Sequence, residues 1–445
     1  MGSITIIGGG LAGCEAAWQA AGRGCDVTIY DMKPLKYSPA HEDKNLAELV
    51  CSNSFRSDDP TSAVGLLKEE MKLLNSLIVE TARETAVPAG KALAVDRSRF
   101  AAKITEKLFQ NNNIEVIRKE ITELPVDSKD PLILATGPLT SEAMADSLSL
   151  MTGEERLSFY DAIAPIVESD SLDMNIIYQK SRYDEGPGDY LNCPMDKQQY
   201  LHFIHELANG SCVPLRDFES AKYFEGCLPI EVMCSRGVDT LRFGPMKPVG
   251  LPDPKNGKDP YAVVQLRKEN IEGSHYNLVG FQTKLTYAEQ NRIFRLIPGM
   301  EKAKFSRFGS IHRNTFICAP EILLPTLQMR KNKHIFIAGQ LSGVEGYIES
   351  AAMGLLAGIN SARMFSGQTL IVPPKTTALG ALVVHLTESL PKRFQPSNVN
   401  FGLFPPLQQK MPKRSRGGFR SEQALTDLKV WLEEEAVKSG SRNAR

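Results

Sequence analysis

Three groups of residues have the types and spacing to do chemistry. The first is Gly8-Gly9-Gly10-Leu11-Ala12-Gly13, a G-x-G-x-x-G arrangement. In this pattern one glycine permits a tight turn, the next lets a pyrophosphate approach the backbone, and the third lets a helix pack closely on a strand. Phosphates then meet a helix N-terminus, where unpaired N–H groups and the helix dipole favour negative charge. Asp31 follows Gly13 by eighteen residues, the place for a carboxylate that accepts from an adenosine ribose hydroxyl. The second group is the eight cysteines, at 14, 25, 51, 193, 212, 227, 234 and 318. No two have the spacing of a zinc knuckle or a redox pair, and the isolated His202-x-x-His205 lacks accompanying ligands, so no metal site is expected. The third group is basic: from Ile371 to Arg420, Lys375, Lys392, Arg393, Lys410, Lys413, Arg414, Arg416 and Arg420 face a single acid, Glu388.

The elements that must position these groups follow from the hydrophobic pattern. Ser3–Ile7 is a short β-branched run, Leu11–Ala21 is rich in alanine, and Cys25–Tyr30 is apolar again, which predicts a βαβ unit. Pro131–Ala135 and His334–Ala338 are further apolar runs that end in glycine, as parallel strands of a doubly wound sheet end at a ligand crevice. The tract between them, with turns such as Gly186-Pro187-Gly188, reads as an inserted α+β domain covering that crevice. The expected organisation is a dinucleotide-binding part over 1–140, an insert over 141–329, the return of the first domain over 330–366, and a basic C-terminal region over 367–445.

The chain has 445 residues, 42% hydrophobic and 23% charged, with 52 basic and 52 acidic side chains. That composition predicts a globular protein with sizeable cores, and the zero net charge by itself implies no nucleic-acid partner. No stretch approaches the roughly 18 consecutive apolar residues of a membrane span. The N-terminus lacks a basic leader and runs into a strand, which points to a cytoplasmic location.

Leu132-Ile133-Leu134-Ala135-Thr136-Gly137 resembles the A-T-G strand end of two-dinucleotide flavoproteins, and Ile335-Phe336-Ile337-Ala338-Gly339-Gln340 resembles their late strand beside the flavin. Gly343-Val344-Glu345-Gly346-Tyr347 then opens a helix whose backbone donors can stabilise a reduced flavin. These features imply bound FAD in a glutathione-reductase-like α/β fold. A second G-x-G-x-x-G for NAD(P)H is missing, so NADH or NADPH is expected to visit as a transient reductant.

Further segments resemble one family. Leu46–Ser54, Pro88–Arg97, Phe224–Glu231, Phe243–Leu251, His312–Phe316, Gly339–Gly354 and Asn398–Pro406 are similar to the folate/FAD-dependent tRNA (uracil-5-)-methyltransferases. The resemblance implies transfer of a methylene from methylenetetrahydrofolate to C5 of the T-loop uridine of tRNA, followed by reduction to methyl. Uracil C5 is a poor nucleophile until a thiolate adds to C6, and its proton must then be removed. By resemblance Cys51 and Cys227 share these tasks, with Cys227 favoured as nucleophile and Cys51 as base or flavin-side partner. Arg56 would lower the Cys51 pKa, whereas Glu225 and Glu231 would raise that of Cys227 if they lie close.

Resemblance also places His312, Arg313 and Asn314 at the folate and flavin pocket, with Arg313 meeting a folate carboxylate and Tyr347 stacking near flavin or pterin. Lys413, Arg414 and Arg416, interleaved with Phe394, Phe401, Phe404 and Phe419, are expected to contact RNA phosphates. Lys91 stands where the family usually has glycine, and Ser397 where methionine is common. A large-subunit rRNA uridine, a wobble-uridine modification and a flavin-bound RNA binder without turnover stay open as alternatives.

Overall fold

The computed structural model describes residues 2–125, 129–153, 157–182, 186, 188–214 and 228–440. Five strands form an all-parallel sheet in the order Ile335–Ile337, Leu132–Leu134, Ile4–Ile7, Val27–Asp31, Ile114–Arg118. Strands Ile4–Ile7, Leu132–Leu134 and Ile335–Ile337 are dominated by isoleucine and leucine because both faces are covered. One cover is a helix pair, Leu11–Ala21 against Tyr347–Phe365. The two backbones can approach because the facing positions are small: a Cβ at Gly354 would stand 2.2 Å from the Ala12 carbonyl oxygen, and one at Gly358 2.4 Å from that of Ala16. Every loop expected to carry dinucleotide chemistry leaves the carboxyl end of one of these strands, the crevice side of an open parallel sheet.

The insert has a core of its own. Six strands, Tyr178–Gln179, Tyr190–Met195, Ala262–Lys268, His275–Leu278, Ile166–Glu168 and Phe305–Arg307, form an antiparallel sheet in that order. Helices Lys197–Asn209 and Tyr287–Ile293 pack on it through Tyr200, Phe203 and Ile293. Two antiparallel strands, Leu157–Ala162 and Ile311–Phe316, carry the chain into and out of this domain.

The first core extends further along the chain than the boundaries at 140 and 330. Met144 and Leu148 from helix Glu142–Thr152, and Phe316, Ile317, Ile322, Leu323, Leu327 and Met329 on the far side, bury their side chains in it. So does the C-terminal region. Helix Ala378–Glu388 contributes Leu379, Leu382 and Leu386, and Ala424 joins them from helix Arg416–Gly440. Glu70, buried in helix Ala63–Leu73, caps the Ala378 helix by accepting from the Ala378 and Leu379 N–H groups at 2.7 and 2.9 Å. Among the described residues, no helix is long and apolar enough to cross a membrane.

Candidate functional site

At the carboxyl ends of the parallel strands lies a cavity of about 400 Å³. Its floor is the glycine turn. Gly8 has φ +108°, and a Cβ there would stand 2.4 Å from the Ala135 carbonyl oxygen; one at Gly13 would stand 1.8 Å from that of Gly8. Gly10 is different. A Cβ there would meet nothing within 4 Å, so the open volume above it belongs to whatever the cavity holds. Gly10 is also the N-cap of the first helix and supplies no side-chain acceptor, which leaves the first-turn N–H groups for an anion. An open cradle over an uncapped helix N-terminus fits the pyrophosphate of an adenine dinucleotide.

Asp31 stands beside this turn. Its carboxylate accepts from Gly9 N–H and Lys33 N–H, both at 2.9 Å, with the Arg118 guanidinium 3.6 Å away. It therefore braces the turn, and lone pairs remain for a ribose hydroxyl. Gly8 to Ala12, Asp31, Thr136, Gly137, Gly339 and Gln340 all line the cavity.

Cys51 faces the same cavity, as do Tyr347, Glu345 and Gly346. The Tyr347 hydroxyl lies 2.8 Å from Cys51 Sγ and accepts from the N–H groups of Cys51 at 2.8 Å and Ser52 at 3.2 Å. Burial pushes the Cys51 thiol up to about 12, helped by the Asp161 carboxylate and opposed by the Tyr347 hydrogen bond and the Arg97 guanidinium. Glu345 is held far above the usual carboxylate range by burial and by Asp161, although Gln340 donates to it at 2.6 Å. The cavity thus gathers a thiol, a phenol and two carboxyl groups in a poorly solvated space, a set suited to proton transfer.

Some expected residues lie elsewhere. On strand Ile311–Phe316, His312 and Asn314 face the cavity, while the intervening Arg313 is exposed and bonds Ser158 Oγ at 3.0 Å. The period-2 alternation of a strand separates them. Gly13, Gly343 and Val344 serve packing: a Cβ at Gly343 would collide with the Phe394 ring, and Val344 is fully buried in a bridge to Ser397. Arg56 pairs with the buried Glu349, and the guanidinium that lowers the Cys51 pKa is Arg97. Cys227 and Glu225 lie outside the described residues. The Glu231 carboxylate is taken by the Thr283 hydroxyl and the Lys284 N–H, at 3.0 and 2.7 Å.

Lys413, Arg414 and Arg416 are exposed, the first two just before the anchored C-terminal helix and Arg416 at its first residue. Phe394 and Phe404 are buried in the first core, so neither ring offers a stacking face to RNA. Lys91 is exposed at a turn.

Residues that sequence reasoning did not single out surround Cys51. Arg97 donates to the Leu49 and Val50 carbonyl oxygens at 2.9 and 3.1 Å, and Arg307 donates to that of Val50 at 3.1 Å. Arg267 reaches Asn53 Oδ1 and Ser52 Oγ, both at 2.9 Å. Arg97 falls within a segment that carried the family resemblance. Arg267 and Arg307 come from the insert, and no local spacing announces them.

The model of the family described as glucose inhibited division protein A matches residues 3–369. A "Methylenetetrahydrofolate--tRNA-(uracil-5-)-methyltransferase TrmFO" of Desulfotalea psychrophila is 66% identical over 433 residues, covering 97% of this chain and 98% of the relative. One of the same name from Geobacter sulfurreducens is 56% identical, covering 97% and 99%. Aquifex aeolicus GidA superposes with a TM-score of 0.71 over 97% of this chain and 73% of its own, at 17% identity, which establishes a shared fold. The chain belongs to the glucose inhibited division protein A family and, within it, to the methylenetetrahydrofolate tRNA (uracil-5-)-methyltransferases.

Proposed function

We propose that the protein methylates C5 of the T-loop uridine of tRNA, with methylenetetrahydrofolate as carbon donor, FAD held over the glycine turn, and NADH or NADPH as the visiting reductant, in the cytoplasm. The observation that carries this reading is that Cys51, bonded to the Tyr347 hydroxyl, opens into the same cavity as the Gly10 cradle. The strong identity to relatives named for this reaction supports it.

Reduced FAD, when bound, supplies the hydride that turns a transferred methylene into methyl. The chain supplies the rest. Gly10 and the uncapped first helix would hold the pyrophosphate, and Asp31 would hold the ribose. Cys227 adds as thiolate to uracil C6, which makes C5 nucleophilic; Cys51, in the thiolate form that its Tyr347 hydrogen bond favours, takes the C5 proton after carbon transfer, and Cys227 leaves C6 as the methyl group forms. Tyr347 and the carboxyl groups of Asp161 and Glu345 set the proton inventory around that thiol.

The deciding assay combines purified protein, unmodified tRNA, methylenetetrahydrofolate and NADPH, with 5-methyluridine read by mass spectrometry. Product is expected only with folate present. Equal methylation supported by S-adenosylmethionine without folate would overturn the reading, and modification of a large-subunit rRNA fragment but not of tRNA would move its target.

A further inference from the structure

The loop that presents Cys51 belongs to the first domain, yet much of what fixes it comes from the insert. Arg267 and Glu269 stand two residues apart along one extended segment, strand Ala262–Lys268 and the residue after it, and so point to the same side. Arg267 is buried and grips the residues just after the thiol, through Ser52 Oγ and Asn53 Oδ1. Glu269, also buried, pairs with Arg97 through two bonds of 2.6 and 3.2 Å, and Arg97 in turn holds the carbonyls of Leu49 and Val50 just before the thiol.

Arg307, from an edge strand of the same sheet, adds a second donor to Val50 and one to the Ala40 carbonyl oxygen at 2.9 Å. Asn53 is fully buried and completes the connection by donating to Val95 of the first domain and Lys268 of the insert, at 2.9 and 2.8 Å.

Buried guanidinium and carboxylate groups are costly to desolvate, and hydrogen bonds of this kind compensate only where the geometry is kept. Three guanidinium groups, Arg97, Arg267 and Arg307, reach five consecutive residues, and the buried Glu269 holds Arg97 in place. We infer that the inserted domain positions the thiol: Arg267 and Glu269 hold Leu49–Asn53 from both sides, so that the seating of the insert on the first domain sets where Cys51 Sγ points. This inference rests on the reading of Cys51 as a reacting thiol. Arg267, Glu269 and Arg97 are positioning residues; the group in contact with Sγ is the Tyr347 hydroxyl, and the charges of Asp161, Arg97 and Glu345 also act on it.

The test uses the full-length flavoprotein and the variants Arg267→Met, Arg267→Lys and Glu269→Gln. Iodoacetamide labelling is followed against pH at each cysteine by peptide mass spectrometry, alongside 5-methyluridine formation. Release of the loop admits water to Sγ, so Arg267→Met and Glu269→Gln are expected to label Cys51 about tenfold faster at neutral pH, as its profile moves down by about one unit. Methylation should fall by about tenfold or more. Faster labelling of Cys51 with slower turnover, while the fully buried Cys14 and Cys193 stay unlabelled, is a signature that plain loss of stability does not give. Arg267→Lys, which keeps the charge but can satisfy fewer partners, should recover part of both.

Cys14 and Cys193, fully buried in the two cores, must stay unlabelled. An unchanged Cys51 profile in Arg267→Met and Glu269→Gln would overturn the inference. So would labelling of Cys14 and Cys193 in step with Cys51, which would mark a general loosening. Labelling requires neither folate nor RNA, so a wild-type protein that makes no 5-methyluridine would defeat the proposed function while the labelling still decides this point.

Discussion

A hydroxyl oxygen has two lone pairs and one proton, and at Tyr347 both lone pairs are engaged by the N–H groups of Cys51 and Ser52. The proton is therefore directed to Cys51 Sγ, which makes the sulfur an acceptor and favours its thiolate against the cost of burial. Tyr347→Phe removes that donor and leaves two N–H groups without their partner, at about 1–3 kcal/mol for each that stays dry. The sign follows: the Cys51 pKa rises further, its labelling at neutral pH slows, and methylation falls by about ten- to a hundredfold, measurable by timed alkylation and 5-methyluridine yield. Cys51 and Tyr347 were each legible in the sequence from the segments around them. Their contact was not, because it joins positions 296 residues apart. Arg56 shows the same limit in reverse, since nearness in the chain suggested Cys51 as its partner and the fold gave it Glu349.

At the scale of elements, the glycine turn separates folding from binding within six residues. Gly13 is closed on all sides by protein, with the Gly8 carbonyl oxygen 1.8 Å from where a Cβ would stand, while Gly10 has φ −78° and opens into space. Gly10→Ala should keep the melting temperature of the flavin-free protein and lose bound flavin, read as visible absorbance per chain. Gly13→Ala should lower both, because helix and turn must part. A Gly10→Ala protein that retains full flavin would show that the cradle holds something else. The strand–turn–helix unit was readable because its signal is local: β-branched residues, then glycine, then alanine. The division of labour among the glycines was not, since it depends on which carbonyl faces each one. Arg313 is the clearest case at the site. The segment His312–Asn314 was found, but which of its residues face the cavity follows from strand register, and His312 and Asn314 do while Arg313 does not.

At the scale of the whole molecule, a neutral protein must bind a polyanion, and the distribution of charge decides how. The basic C-terminal stretch was visible in the sequence as a departure from an even balance, whereas two of its phenylalanines, Phe394 and Phe404, belong to the first core. The helix that follows is fixed to the first domain: Ser421 bonds the Pro60 carbonyl oxygen at 2.6 Å, Asp427 accepts from Thr376 at 2.6 Å, and Glu435 pairs with Arg363 at 3.1 Å. Lys413, Arg414 and Arg416 are thus displayed on an anchored support, free of the entropy cost of ordering a loose tail on binding. If each meets a phosphate, replacing all three by alanine lowers the slope of log affinity against log salt by about 2–3, with the wild type losing affinity steeply as salt rises. Flavin content and the melting temperature should not change, because none of the three is buried. Binding isotherms for unmodified tRNA at several salt concentrations give the slope directly, and a triple variant with the wild-type slope would mean that the RNA is held by another face of the protein.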